Sequence, residues 1–265
     1  MRRARPRQVG LTDRDRAIVA AATSLGQVTA EGLRRLISPG TSANTFTARL
    51  RILVTARYLT RVEVIAGLRR VYLYGAGPRA REPGSPRPWT PAPHQLDHTL
   101  AVEATLVRLM DPAVTPALTR SEWSGEADYR AWADPGDPYP DLGIRWTAVD
   151  DGRQLAGQWA VEVDRATEAR GAWRRKLGRY LADYSLRQLI VAVTTSDARA
   201  RNLAGLAAEV GYPTAATSLT ALLQHPDPPV WDSWQRRRST LTETSLALAV
   251  KPTTRSTTAA DHDRR

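Results

Sequence analysis

Three carboxylates and one lysine between residues 141 and 176 have the types and spacing that phosphodiester chemistry requires. Asp141 precedes one strand-like run, Glu162 and Asp164 end the next, and Lys176 falls in the helix-like segment that follows. Hard divalent ions bind several oxygen ligands, and a cation beside a phosphate stabilises the charge that develops during cleavage. If the protein is catalytic, the pattern predicts a Mg²⁺ or Mn²⁺ site formed by Asp141, Glu162 and Asp164. The predicted catalytic residues are then Asp141, Glu162 and Lys176.

Strand geometry is expected to bring these carboxylates together. Glu162 and Asp164 are two residues apart on a strand, so their side chains point to the same face. A turn at 150–152 would fold the strand that follows Asp141 back alongside them. Glu103, in an upstream helix, is a candidate for a fourth carboxylate. The alternative is that these acids only cap the next helix and favour its positive N-terminal end.

Pro140-Asp141 followed by Glu162-Val163-Asp164 resembles the PD-(D/E)XK nuclease core. That pattern has a lysine where this chain has Asp164, and such a lysine stabilises developing charge and helps to orient the attacking water. Lys176 is a candidate to replace it from the next helix, and a helix lysine that merely reaches for solvent is the alternative. The sequence therefore leaves open whether the protein is a metal-dependent endonuclease or has no enzymatic activity.

Residues 8–75 have the order helix, helix, helix, hairpin, which is typical of a winged helix. Thr12 begins a capping box with Asp15 three residues later. A second helix starts at Thr29, and apolar spacing predicts a third from about 41 to 57. Two β-rich runs at 58–65 and 68–74 complete the pattern, so we expect a winged helix-turn-helix at the N-terminus.

The third helix has a polar face opposite its apolar stripe, as the 100° turn per residue shows. In the major groove, asparagine can pair with adenine and arginine with guanine. The residues expected to contact DNA are Asn44, Thr45, Ala48 and Arg51 on this helix and Arg61, Arg69 and Arg70 on the hairpin. Winged helices also mediate protein contacts, and this alternative stays open.

The basic charge of the chain is concentrated at its N-terminal end. Residues 1–93 hold 17 arginines and 5 acids, a net charge of +12, whereas residues 94–265 have a net charge of −1. This asymmetry favours a polyanionic partner such as nucleic acid. The absence of cysteine excludes disulfides and cysteine-ligated metal sites. With no apolar signal segment or membrane-length span, we expect a cytoplasmic protein without membrane contact.

The chain divides into two predicted domains of an α+β or α/β protein. Residues 76–93 are expected to be a linker, since six prolines occur within 75–93. Residues 94–228 give the αβββαβ order of a restriction-endonuclease-like domain, with strands near 120–123, 142–148, 154–163, 189–194 and 216–223 and helices near 94–110, 167–186 and 198–210. Residues 235–265 lack periodicity and are predicted to be a disordered tail.

Several motifs together resemble the replication-relaxation family of actinobacterial plasmids and integrative elements. They are Leu11-Thr12-Asp13-Arg14-Asp15, Tyr58-Leu59-Thr60-Arg61, Pro140-Asp141, the run from Val161 to Glu168, and Lys176-Leu177 with Tyr180. Family members commonly have glycine where this chain has Ala166. The resemblance implies DNA binding in plasmid or mobile-element replication or transfer, with relaxation or nicking of DNA.

Three functions remain open from the sequence. The first is a DNA-binding protein that nicks DNA with a divalent metal. The second is a non-enzymatic regulator or accessory factor whose nuclease-like domain is a scaffold, and the third is a restriction-type defence nuclease. Double-stranded DNA is the expected partner in each case, and plasmid replication or transfer proteins and a second copy of the chain are further candidates.

Overall fold

The computed structural model describes residues 10–66, 69–81, 92–131, 133, 138–165, 168–182, 188–224 and 229–249. Within these ranges the chain is a mixed α/β protein with one three-stranded and one seven-stranded sheet. The interior of the predicted linker (82–91), the predicted helix start at Thr167 with its end at 183–186, and residues 250–265 of the predicted tail lie outside the described residues.

The N-terminal unit packs three helices on a small antiparallel sheet. Its elements are α1 (Asp13–Ser24), β1 (Val28–Thr29), α2 (Ala30–Ile37), α3 (Ala43–Thr55), β2 (Leu59–Ala66) and β3 (Arg69–Ala76). The sheet order is β1-β3-β2. Large apolar side chains from all three helices are fully buried together, among them Ile18, Leu33, Phe46, Leu50 and Leu53. The two-residue strand β1 was not predicted, because so short a run leaves no periodic signal.

The capping box predicted at α1 is confirmed, and its acid has a second role. Asp15 N–H donates to Thr12 Oγ1 at 3.2 Å, and Thr12 N–H donates to Asp15 Oδ2 at 2.8 Å. Asp15 is fully buried, and Arg49 of α3 donates to both of its oxygens, with Nε to Oδ1 at 2.7 Å. The hydrogen bond from Arg49 holds the pKa of the Asp15 carboxyl well below its usual value. This pair fixes α3 to the start of α1.

Asp15→Asn is expected to lower the free energy of unfolding by about 3 kcal/mol at neutral pH, because it leaves Arg49 without its counter-charge. A lowered carboxyl pKa contributes stability above the unfolded value of 3.8, and this contribution is lost as the pH falls below it. The deficit of the variant should therefore shrink between pH 7 and pH 3 in denaturant titrations. The matched control is Asp13→Asn, whose side chain is 98% exposed; an equal loss in both variants would contradict the prediction.

The second unit is built on the seven-stranded sheet, in the order β10-β9-β8-β7-β6-β5-β4. Its strands are β4 (Thr119–Gly125), β5 (Leu142–Asp150), β6 (Arg153–Asp164), β7 (Leu189–Thr194), β8 (Thr214–Ser218), β9 (Trp231–Ser233) and β10 (Arg238–Ser239). Strands β6, β7 and β8 are parallel, and antiparallel strands flank them on both sides. The turn between β5 and β6 is Asp151-Gly152, and both residues have the positive φ that tight hairpins require.

Helices cover both faces of this sheet. They are α4 (Pro93–Leu109), α5 (Glu126–Arg130), α6 (Arg170–Ala182), α7 (Asp197–Val210), α8 (Leu219–Gln224) and α9 (Leu241–Ala249), with a 3₁₀ turn at Pro112–Val114. Leu106 and Leu109 of α4 pack with Trp159 of β6 on one face. Trp173 of α6 and Leu203 of α7 pack on the other. Successive residues of β6 therefore alternate between two apolar layers.

Two sequence expectations in this unit are wrong. The last predicted strand, 216–223, is strand only to Ser218, after which α8 begins. Part of the predicted disordered tail is the helix α9, which packs against the core through Leu241. Trp159 Nε1–H donates to Ser245 Oγ at 2.9 Å, and both residues are buried. Tertiary burial orders this segment, and its own residues give little periodic signal.

Specific polar contacts join the two units. Thr29, the N-cap of α2, donates from its backbone N–H to Glu103 Oε2 at 2.7 Å and from its hydroxyl to Oε1 at 2.6 Å. Ser24 donates to Asp128 and accepts from Gly125 N–H at 2.7 Å. Glu103 is thereby committed to the N-terminal unit. The expectation that it joins the other carboxylates is wrong.

Candidate functional site

The register of the central strands sets Asp141 beside Glu162. Leu142 pairs with Val161 across β5 and β6, so the residue before β5 lies next to the one after Val161. Asp141 Oδ2 accepts a hydrogen bond from Val163 N–H at 2.7 Å. Asp141, just before β5, is thus held by the backbone of β6, the strand that carries Glu162.

Helix α6 supplies two side chains that contact Glu162. Lys176 Nζ lies 2.6 Å from Glu162 Oε2, and Tyr180 OH donates to Glu162 Oε1 at 2.6 Å. Lys176 and Tyr180 are four residues apart, so they share one face of the helix. Glu162 and Tyr180 are buried, and the Lys176 side chain is 20% exposed. The structure therefore brings Lys176 of α6 to Glu162.

Burial changes the titration of this cluster. Burial raises the pKa of the Glu162 carboxyl to about 7, and the nearby charge of Lys176 limits the rise. Burial disfavours the charged form of Lys176, but the attraction of Glu162 outweighs it and raises the lysine pKa. Burial, followed by the charge of Glu162, also raises the pKa of Tyr180, which therefore stays a neutral donor. At neutral pH Lys176 is therefore a cation beside a carboxyl group whose pKa is raised above its usual value.

His98 of α4 is the residue at this site that sequence reasoning did not select. Its Nε2 lies 3.1 Å from Asp141 Oδ1, and this hydrogen bond raises the pKa of the imidazole. The sequence holds no metal-ligand spacing that includes His98, so only the packing of α4 against the strand ends brings it here. Neighbouring His94 lies in the first turn of α4, and its side chain is outside the described residues.

Asp164 points to the same face of β6 as Glu162 but is held by a different helix. Arg199 Nε of α7 donates to Asp164 Oδ2 at 2.6 Å, and the Asp164 side chain is 1% exposed. Arg199 also donates to the carbonyl of Glu168 at 2.5 Å. The structure therefore places Asp164 in an ion pair with α7, whereas Glu162 pairs with α6.

Asp141 and Glu162 supply carboxylate oxygens, the type of donor that a Mg²⁺ ion prefers. Two adjacent carboxylates with water and substrate phosphate are a usual magnesium ligand set. Each carboxylate oxygen already accepts one hydrogen bond, from His98, Val163, Lys176 or Tyr180, and each has a second lone pair. Within the described part of the chain, no group of three histidine, aspartate or glutamate residues is arranged to hold a metal ion.

The predicted DNA-contacting residues lie on the surface of the N-terminal unit. Asn44, Thr45, Ala48 and Arg51 are exposed along α3, and Arg61, Arg69 and Arg70 are exposed on the β2–β3 hairpin. Large apolar side chains are also exposed on this unit, namely Ile52 on α3, Ile65 on β2 and Tyr72 on β3. The Arg61 guanidinium lies 4.8 Å from the Tyr72 ring centroid.

The sequence profile of replication-relaxation proteins matches residues 23–190. The chain belongs to the replication-relaxation family. The region that the family shares includes α3, the hairpin, both carboxylates of the site, Lys176 and Tyr180. Arg199, the partner of Asp164, lies beyond it.

Other comparisons add little to this family assignment. Among curated proteins, none matches the chain. Among solved structures, the chain is similar to the DNA modification-dependent restriction endonuclease AspBHI, with 13% identity and a TM-score of 0.27. The similarity covers 72% of this chain and 60% of that endonuclease. In the described residues, no helix is both long and apolar enough to span a membrane.

Proposed function

We propose that this replication-relaxation family protein binds double-stranded DNA through an N-terminal winged helix and nicks it with a divalent metal. The N-terminal unit supports the first part by its helix–helix–helix–hairpin order and its exposed arginines. Family membership favours a role in the replication or transfer of a plasmid or mobile element.

One observation carries the nicking proposal: Asp141, just before β5, lies beside Glu162 of β6, and Lys176 of α6 contacts Glu162. Asp141 and Glu162 would hold Mg²⁺ or Mn²⁺, which supplies Lewis-acid stabilisation of phosphate charge when bound. Lys176 places a permanent positive charge 2.6 Å from Glu162 and can stabilise the charge that develops on a phosphate. Tyr180 fixes the Glu162 carboxylate from the buried side. Asp164 orients Arg199 in this proposal and holds no metal.

A second candidate function is a DNA-binding factor whose nuclease-like unit is only a scaffold. The observation that favours it is the occupation of all four oxygens of Asp141 and Glu162 by protein donors. Such a closed cluster can serve to fix α6 and α4 to the sheet. This candidate predicts DNA binding without any metal requirement.

Incubation with supercoiled plasmid in Mg²⁺, Mn²⁺ or EDTA tests both candidates. If the protein nicks DNA, supercoiled plasmid should be converted to open circles in Mg²⁺ or Mn²⁺ but not in EDTA. Retardation of the plasmid on a gel reports binding separately, and it should weaken steeply with added salt, since phosphate contacts release counterions. Retarded but intact plasmid in every condition would select the scaffold, and plasmid neither retarded nor nicked would reject both candidates.

A further inference from the structure

The exposed side of α3 is divided into two stripes of different chemistry. At about 100° per residue, Asn44, Arg51 and Thr55 lie close together on one side. Thr45 and Ile52 form the adjacent stripe, Ala48 lies between the two stripes, and all six residues are exposed. Ile52 is 43% exposed, although its neighbours Leu53 and Leu50 on the same helix are completely buried. The second stripe therefore presents methyl groups to the surroundings.

The polar groups next to this second stripe are already engaged within the protein. Arg49, which flanks Thr45 and Ile52 on the helix surface, donates to both oxygens of buried Asp15. The Thr45 hydroxyl accepts a hydrogen bond from Ser42 Oγ at 3.0 Å, and Ser42 is the N-cap of α3. The Arg49 guanidinium and one lone pair of the Thr45 hydroxyl are therefore engaged within the protein, and the methyl groups of Ala48 and Ile52 are the apolar contacts that this surface offers.

Base edges in the major groove carry one apolar group, the methyl on C5 of a pyrimidine. We infer that Ala48 and Ile52 read C5-methyl groups in the major groove, while Asn44 and Arg51 supply hydrogen bonds to neighbouring bases. This inference rests on the proposed DNA binding and specifies the class of site that is bound. The charge of the unit favours the same partner, since residues 1–93 carry a net charge of +12. The methyl belongs either to thymine or to 5-methylcytosine.

Duplexes selected by the full-length protein from a random pool provide the test. Each thymine in a selected site is replaced by uracil, which removes only the methyl group. Binding should weaken about fourfold for each methyl that contacts the protein, the value expected for one buried methylene-sized group. A parallel pool in which every cytosine is methylated separates thymine from 5-methylcytosine as the source of the methyl.

Three variants assign the effect to the stripe. Ile52→Ala should remove most of the difference between thymine and uracil duplexes, and Ile52→Val should retain most of it. Asn44→Ala should weaken binding to both duplexes while leaving their ratio unchanged, because it belongs to the polar stripe. Each substitution is at an exposed position, and thermal melting checks that the fold is kept.

The outcomes separate this inference from the function on which it rests. Equal binding of methylated and unmethylated duplexes at every position would overturn the methyl reading while DNA binding stands. A methyl preference that survives Ile52→Ala would also overturn it, because the preference would then come from elsewhere. If no duplex is enriched from the pool and retarded on a gel, both the methyl inference and the proposed DNA binding are overturned.

Discussion

Glu162→Gln is expected to reduce metal-dependent nicking of supercoiled plasmid about 100-fold or more, with DNA retardation unchanged. Glutamine has nearly the same shape as glutamate but carries no negative charge, so it is a poor ligand for a hard divalent ion. It can still accept a hydrogen bond from Tyr180 or Lys176, which now contact the two oxygens at 2.6 Å. The initial rate of open-circle formation in Mn²⁺ is the measurement.

The matched control for this variant is Glu122→Gln. Glu122 lies on β4 of the same sheet, its side chain is 66% exposed, and it pairs with Arg145 on the surface. The Glu122→Gln variant should form open circles at the same rate as the unchanged protein. If Glu162→Gln and Glu122→Gln are equally active, Glu162 holds no essential metal ion, and nicking must come from another site or from a contaminant.

Lys176→Met is expected to lower nicking about 100-fold, because it removes the positive charge next to the carboxylate pair. It should also make stability depend more strongly on pH. Lys176 now limits the pKa of Glu162 to about 7, so its loss raises that pKa further. A carboxyl pKa raised in the folded state lowers stability as the pH increases from the unfolded value of 4.5 through the folded value.

The variant should therefore lose more stability at pH 8.5 than at pH 5.5, by about 1.4 kcal/mol for each unit of further pKa change. Denaturant titrations at the two pH values give this difference. Arg175→Met is the matched control, because Arg175 is the adjacent cation on α6 and is exposed. A Lys176→Met deficit that is the same at both pH values would show that the charge of Lys176 does not act on Glu162.

The two variants together distinguish the candidate functions. A nuclease loses nicking in both, whereas a scaffold has no nicking to lose and shows only the changes in stability. The Lys176 measurement of stability is informative in either case, because it depends on the contacts with Glu162 and not on a bound metal. DNA retardation should persist in both variants, since the proposed binding surface lies on the N-terminal unit.

Local sequence signals predicted much of the N-terminal unit. The capping box of Thr12 and Asp15 is present in the structure, and the polar residues chosen on α3 are exposed. Such signals depend on neighbouring residues and on the helical period, so they can be read without knowledge of tertiary contacts. The family was likewise identified from motifs, and the sequence profile confirms it over residues 23–190.

Contacts between segments that are far apart in the sequence decide which side chains pair at the candidate site. The two-residue spacing of Glu162 and Asp164 correctly implied a shared face, but not that one would pair with Lys176 and the other with Arg199. His98 reaches Asp141 only because α4 packs against the strand ends. Residue type and spacing cannot specify which helix covers which part of a strand.

The sequence by itself determined the family, the basic charge of residues 1–93 and the set of side chains available for chemistry. Only the tertiary structure decided that Glu103 binds Thr29 of the other unit and that α9 replaces part of the expected tail. Both outcomes follow from burial, because a half-buried carboxyl needs nearby hydrogen-bond donors and an apolar sheet face needs a cover. Those requirements are met by segments far apart in the chain, where no local pattern records them.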